Sequence, residues 1–308
     1  MKTAFLFSGQ GAQYVGMGKE LYQQEKRVKE TFEEASDLLG FSMEDLCFEE
    51  NNRLNETKYT QPAILTVSTA FLRVLKEKGF HADAVAGLSL GEYTALVASG
   101  ALAFSDAVQL VHQRGQFMSE AAPTGSGKMV AVMNTDAEVI EACCREASAL
   151  GIVSPANYNT PQQIVIGGEV AAVEKAEELL QAAGTKRMIQ LNVSGPFHTA
   201  LLEPASKRLN EVLQTILFKE MEIPVISNTT AKVMPQAEIV SLLTKQVMSP
   251  VRFSDSVQTF KELGVTRLIE IGPGKTLTGF IKKIDRSLAT SRVEDAKTLA
   301  ETIDFLTE

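Results

Sequence analysis

The 308-residue chain has no tryptophan, three cysteines and three histidines, and aromatic residues make up only 6% of it. No apolar run approaches the roughly 20 residues that a membrane-spanning helix needs. Lys2 is followed by a short apolar run that stops at Ser8-Gly9, too short for the core of a secretory leader. Cys47 stands far from the neighbouring pair Cys143 and Cys144, a spacing that suits neither a disulfide framework nor a metal site. These absences predict a protein of the reducing cytoplasm, with no membrane anchor and no bound metal. A net charge of −8 leaves no basic footprint for nucleic acid. Repeats, low-complexity tracts and long charge runs are missing as well.

What is present is ordinary for a globular protein, 44% apolar and 22% charged residues, in a length that allows one large α/β domain or two domains. The informative stretch is 85–92. A short apolar run over 82–87 predicts a buried strand, which leads into Gly87-Leu88-Ser89-Leu90-Gly91. An amphipathic helix follows, with Tyr93, Leu96 and Val97 as its apolar stripe. Strand, tight turn and helix with a serine at the apex is the layout of a nucleophile elbow. Glycine is needed on both sides because side chains would clash in so sharp a turn. The elbow exposes the serine hydroxyl and frees the N–H of Leu90 to bind an oxyanion. The competing reading is a capping box, Ser89 with Glu92, which needs no chemistry at all.

Elsewhere the chain alternates strands and helices. Residues 3–7 predict a strand that ends in Ser8-Gly9-Gln10-Gly11-Ala12-Gln13, a loop able to bring amides to a ligand. It is not a dinucleotide fingerprint, because Tyr14 replaces the third glycine. Helical patterning covers 21–39. Thr60 is placed as the N-cap, and Pro62 in the first turn, of a helix reaching about residue 78. The helix over 105–120 carries His112 and Arg114, and 123–127 is a small-residue linker. Residues 128–193 then read as strand, helix, hairpin around Asn159-Thr160-Pro161, helix and strand, the β-α-β-β-α-β order of a ferredoxin-like unit. A helix (201–217), a strand (224–227), two more helices (237–247 and 254–263), a strand (266–271) and a C-terminal helix complete the pattern. The fold class is therefore α/β, with a large subdomain of residues 1–124 and 194–308 and a small subdomain, 125–193, inserted in it. Gly272-Pro273-Gly274-Lys275-Thr276 sits where a phosphate loop would, but Ile269 occupies its first glycine position. Gly127-Lys128 fails in the same way.

A serine hydroxyl needs a base beside it, and three histidines allow elimination. His81 precedes the elbow strand and Ser89 follows it, so the strand's length, about 20 Å, separates them. His112 lies mid-helix, where a packed structural histidine is the default. His198 lies in Ser194-Gly195-Pro196-Phe197-His198-Thr199, an irregular segment after a strand end, where open α/β sheets build their sites. His198 is the preferred base. No carboxylate suits a triad, since Asp106, Asp136 and Glu169 read as helix caps or solvated faces. A dyad whose imidazole is oriented by a backbone carbonyl fits better.

Six segments now line up in order: Gly9-Gln10-Gly11-Ala12-Gln13, Thr60-Gln61-Pro62-Ala63, Gly87-Leu88-Ser89-Leu90-Gly91-Glu92, Gln113-Arg114-Gly115, Gly195-Pro196-Phe197-His198 and Glu270-Ile271-Gly272-Pro273-Gly274. From residue 3 to about residue 284 the chain resembles the malonyl-CoA:acyl-carrier-protein transacylases. The resemblance implies an α/β-hydrolase-like large subdomain with a parallel sheet and an inserted ferredoxin-like small subdomain. It implies Ser89 as the acylated nucleophile and His198 as its base, with the amides of Gln10 and Leu90 as oxyanion hole. The main-chain carbonyl of Gln246 would orient the histidine, and Arg114 would grip the malonyl carboxylate. A guanidinium offers that carboxylate two parallel N–H bonds and rejects an uncharged acyl group, which would leave it buried and unpaired. Phe197 would fill the space that an α-methyl group needs. The implied partners are malonyl-CoA, as a substrate, and an acyl carrier protein, with no cofactor, nucleic acid or membrane. Lys186, Arg187, Lys282 and Lys283 are candidates for a basic patch facing an acidic carrier. Leu88 departs from the family's frequent histidine and Ser8 from its frequent proline. An esterase, an acyltransferase of a polyketide line and an inactive binding module remain the alternatives.

Overall fold

The computed structural model describes residues 1–193 and 195–307. Among the described residues eight strands are formed: β1 (Lys2–Phe7), β2 (Ala84–Gly87), β3 (Lys128–Met133), β4 (Val153–Thr160), β5 (Gln163–Gly168), β6 (Arg187–Gln190), β7 (Val265–Ile271) and β8 (Ala289–Val293). They make two separate four-stranded sheets, ordered β2-β1-β7-β8 and β4-β5-β3-β6.

The first sheet is wholly parallel, so both of its faces must be covered. Side chains alternate accordingly. Phe5, Phe7, Val85, Ile269 and Ile271 point into one core, shared with the long helix Thr57–Glu77. Ala4, Leu6, Ala84, Ala86 and Leu268 point into a second core with Phe253, Phe260 and Ile281. Phe7 pairs with Gly87 on one side and with Ile271 on the other. The loops that follow β1, β2 and β7 therefore emerge together at the carboxyl edge, where parallel sheets place ligands.

The second sheet is antiparallel, with the strand order of a ferredoxin-like unit. One face packs on the helices Ala137–Ala147 and Val170–Ala182 through Val130, Val132, Ile164 and Ile166. The other face, with Met129, Ala131 and Val165, joins the larger core and roofs the cleft described below. The strands of this unit lie between Lys128 and Gln190. Ser194, where the large unit was expected to resume, lies outside the described residues.

Several expectations are corrected. β1, expected only as a buried strand, lies between β2 and β7 in the sheet. β8 was missed, because its pattern Ala-Thr-Ser-Arg-Val is mostly polar and only half-buried. The strand expected over 224–227 amounts to two isolated bridges, a parallel one from Val225 to Val85 and an antiparallel one from Ile226 to Val233. The helix expected to start at Thr60 begins one turn earlier, at Thr57, with Glu56 as its cap residue. Pro62 thus lies inside the helix and has no N–H to give to the Lys58 carbonyl. His112 supplies the missing donor, with Nδ1 2.7 Å from that oxygen, and packs against Phe41 and Tyr59. This accounts for the structural histidine. Among the described residues no helix is long and apolar enough to cross a membrane.

His112→Ala should strip the Lys58 carbonyl of this donor and cost about 1 kcal/mol. Urea denaturation checks this, and an unchanged midpoint would contradict it.

Candidate active site

A cleft of about 680 Å³ separates the carboxyl edge of the parallel sheet from the inner face of the antiparallel one. Ser89 and His198 both line it, as do Gln10, Leu88 and Phe197.

The elbow forms as its glycines require. A Cβ on Gly87 would lie 2.0 Å from the carbonyl carbon of Gly91, and one on Gly91 would lie 2.1 Å from the Phe7 oxygen. Ser89 itself has φ 54°, a left-handed conformation that costs a side-chain-bearing residue about 1–2 kcal/mol. The capping-box reading fails. Glu92 does not reach back to the Ser89 N–H; that group donates to Asn228 Oδ1 at 2.7 Å. The Glu92 carboxylate turns inward, accepting from the Asn228 N–H at 3.1 Å and from Gln246 Nε2 at 2.7 Å. Burial pushes its pKa up to about 7, against the pull of those donors and of Arg114.

His198 approaches from a sequence distance of 109 residues, and its Nε2 lies 2.7 Å from Ser89 Oγ. Its Nδ1 lies 2.8 Å from the main-chain oxygen of Gln246. A carbonyl only accepts, so Nδ1 carries the proton and Nε2 is left to accept from the serine. The expected third partner is thus a backbone carbonyl. His198 also has a left-handed backbone, φ 60°, held by a bond from its N–H to the Val247 oxygen. Burial first, and then the charge of Arg114, lower its pKa to about 4. The imidazole is therefore the free base at any pH near neutrality.

Arg114 is 1% exposed and does not form part of the cleft wall; it lies one layer behind Ser89. Nη2 donates to Ser89 Oγ at 3.2 Å and to Gln246 Oε1 at 2.9 Å, and Nη1 donates to Gln61 Oε1 at 2.8 Å. Its Nε–H has no acceptor among the described residues. Gly115 brings it there: a Cβ at that position would lie 2.6 Å from the Thr57 oxygen, so the helix Phe104–Ala121 can press against Thr57–Glu77. Among the described residues, neither the Leu90 nor the Gln10 N–H donates to a protein acceptor, while the amides of Leu88, Ser89 and Gly91 are all paired. Phe197 is 7% exposed and flanks the histidine. His81 is exposed, away from the site.

Asn228, Gln61 and the side chain of Gln246 were missed. Asn228 follows the apolar run 224–226, and an amide at a strand's carboxyl end was the available signal. Gln61 stood in a quoted motif without a role. The basic candidates do not form one patch. Lys186 and Arg187 sit at the start of β6, whereas Lys282 and Lys283 are on the helix Thr276–Ile284, which packs against β4 at the opposite edge. Three strand spacings of about 4.8 Å lie between.

Residues 4–302 match the family model described as an acyl transferase domain. The chain is 48% identical to the malonyl CoA-acyl carrier protein transacylase of Bacillus subtilis (strain 168), covering 100% of this chain and 98% of that protein. It is 42% identical to the Escherichia coli (strain K12) protein of the same name, over 98% and 99% of the two chains. Among solved structures, MCAT from Streptococcus pneumoniae superposes with a TM-score of 0.97 at 57% identity, over 99% of this chain and 100% of that one. A malonyl-transacylase solved in complex with a type II PKS acyl-carrier protein gives 0.96 at 42% identity, over 99% and 100%.

The depressed histidine fixes a pH profile. Phosphonylation of Ser89 by a fluorophosphonate should keep most of its pH 7.5 rate at pH 5.5, because the base form is lost only as pH falls through about 4. An imidazole of ordinary pKa would lose about nine-tenths of that rate, and such a loss would contradict the assignment.

Proposed function

The chain belongs to the acyl transferase family, among its malonyl-CoA–acyl carrier protein transacylases, and we propose that it transfers malonyl through an ester on Ser89. The observation that carries this reading is the contact chain from Arg114 Nη2 to Ser89 Oγ to His198 Nε2 to the Gln246 carbonyl.

In the first half-reaction His198 Nε2 takes the Ser89 proton while Oγ attacks the thioester carbonyl of malonyl-CoA. The unpaired N–H groups of Leu90 and Gln10 receive the oxyanion. As the tetrahedral intermediate collapses, the C–S bond breaks and the imidazolium returns its proton to the sulfur, releasing CoA as the thiol. In the second half-reaction His198 takes the proton of the carrier's phosphopantetheine thiol, and the thiolate attacks the ester. The C–O bond breaks, and Ser89 regains its proton from the imidazolium. The product supplies fatty acid synthesis.

Arg114 explains the choice of acyl group. The malonyl carboxylate lies two carbons beyond the ester carbonyl, within reach of a guanidinium that already touches Oγ. It replaces the hydroxyl as partner of Nη2 and gives Nε an acceptor. Acetyl brings no such group, so the arginine stays imperfectly paired. Phe197 narrows the space beside the α-carbon and disfavours a methyl branch there. The steps draw only on this chain's side chains and amides and on the two substrates, so we assign no cofactor. The cysteines are free and buried, which suits the reducing compartment we assign, the cytoplasm.

Ser89→Ala should abolish covalent labelling by radioactive malonyl-CoA; retained label would refute the ester. Arg114→Ala should lower the ratio of malonyl to acetyl transfer by about 100-fold. Competing the two thioesters measures this, and an unchanged ratio would remove Arg114 from acyl selection.

A further inference from the structure

Two peptide planes meet at the Ser89 Cα, and a different side chain holds each. The plane between Leu88 and Ser89 is fixed through its N–H, which donates to Asn228 Oδ1 at 2.7 Å. The plane between Ser89 and Leu90 is fixed through its C=O, which accepts from Gln246 Nε2 at 2.8 Å. In a planar trans peptide the C=O and N–H point in opposite directions. Holding the Ser89 carbonyl toward Gln246 therefore turns the Leu90 N–H away from it, leaving that amide unpaired. With both planes set, φ and ψ of Ser89 have no remaining freedom.

Asn228 has a second contact. Its Nδ2 donates to the Gly87 oxygen at 2.6 Å, so one amide bridges the peptide groups on either side of Leu88. In effect it extends the sheet: Val225 makes a parallel bridge to Val85, and the Asn228 side chain continues that edge pairing where the backbone has turned away. Asn228 is itself pinned. Its N–H goes to Glu92 Oε1, and its carbonyl accepts from the Arg252 N–H. Gln246 Nε2 binds the other oxygen of Glu92. One buried carboxylate thus anchors both holders of the serine.

We propose that Asn228 is a positioning residue for acyl transfer. It holds Ser89 in its left-handed conformation, so that Oγ meets His198 and the Leu90 amide alone faces the oxyanion. Without it the Ser89 N–H is released, the elbow relaxes, and two neighbouring amides compete for one oxygen. The chemistry suffers more than substrate binding, because among the described residues Asn228 makes no hydrogen bond to Arg114 and does not line the cleft, its remaining contact being with Gln246 Nε2, at 3.5 Å.

The inference rests on Ser89 being the acylated residue, and the test separates the two ideas. Rapid-quench acylation with radioactive malonyl-CoA yields a burst amplitude, which counts active sites, and a rate constant per site. Wild type that gave no labelled Ser89 would sink the functional reading itself. Given labelled wild type, Asn228→Ala should slow acylation per titrated site by about 100-fold, the loss expected from misplacing a reacting group by about 1 Å. The KM for malonyl-CoA should stay within about twofold, and malonyl and acetyl should be slowed alike. A purely structural asparagine would lower the amplitude and the melting temperature but leave the rate per site intact. A per-site rate within threefold of wild type, or a change confined to KM, overturns the proposal. If the alanine variant does not fold, Asn228→Asp at pH 8 decides. It keeps the acceptor for Ser89 but sets an anionic oxygen against the Gly87 carbonyl. A slower rate per site supports the proposal, and a wild-type rate overturns it.

Discussion

The 2.7 Å contact between Ser89 Oγ and His198 Nε2 is the constraint to which the rest of the molecule answers. It joins two residues that both hold an unfavourable backbone conformation, at a combined cost of about 2–4 kcal/mol. Such strain persists only where surrounding contacts over-determine it. Here they do. Asn228 and Gln246 take the N–H and C=O of the serine, while Val247 and Gln246 take the N–H and Nδ1–H of the histidine. The segment around Gln246 is therefore common to both halves of the dyad. Its main chain sets the tautomer of the base, and its side chain sets the peptide plane that frees the Leu90 amide.

Electrostatics bind the same residues together. A guanidinium held at 1% exposure is tolerable only with partners, because an isolated buried charge is driven out or neutralised. Arg114 has three neutral acceptors, and behind one of them, Gln246, lies the Glu92 carboxyl. The amide of Gln246 thus passes charge compensation from an acid to the arginine without letting them meet. The same positive charge, added to burial, keeps His198 neutral, which is the state a general base requires. On the proposed reading a single buried cation serves acyl selection and also adds to burial in holding the base unprotonated.

Local chemistry that depends on short-range rules was legible in the sequence. The glycine-flanked serine, the alternation of the ferredoxin-like unit and the elimination among three histidines all rest on sterics, periodicity or reach. Ser89, His198, Arg114 and the Gln246 carbonyl do converge. What stayed hidden depends on partners far away in the chain. Asn228 is an ordinary loop residue until Val225 docks beside Val85. Glu92 looked like a helix cap because its true partners are 136 and 154 residues distant. Pro62 was placed in the first turn by a rule that is sound for helix starts, but His112 lets the helix begin earlier by capping the carbonyl that proline orphans. The basic residues were grouped by charge alone, and strand order then put them on opposite edges.

In the proposed mechanism one hydroxyl carries the malonyl group between a buried guanidinium and two amides that have no acceptor among the described residues. A crystal structure of the wild-type protein, soaked with malonyl-CoA and frozen before turnover to a carrier, tests it most directly. Electron density should be continuous with Ser89 Oγ, with the ester carbonyl oxygen within hydrogen-bond reach of the Leu90 and Gln10 N–H groups and the carboxylate on Arg114. Density joined to another residue, or a carboxylate turned into the cleft away from Arg114, would contradict it.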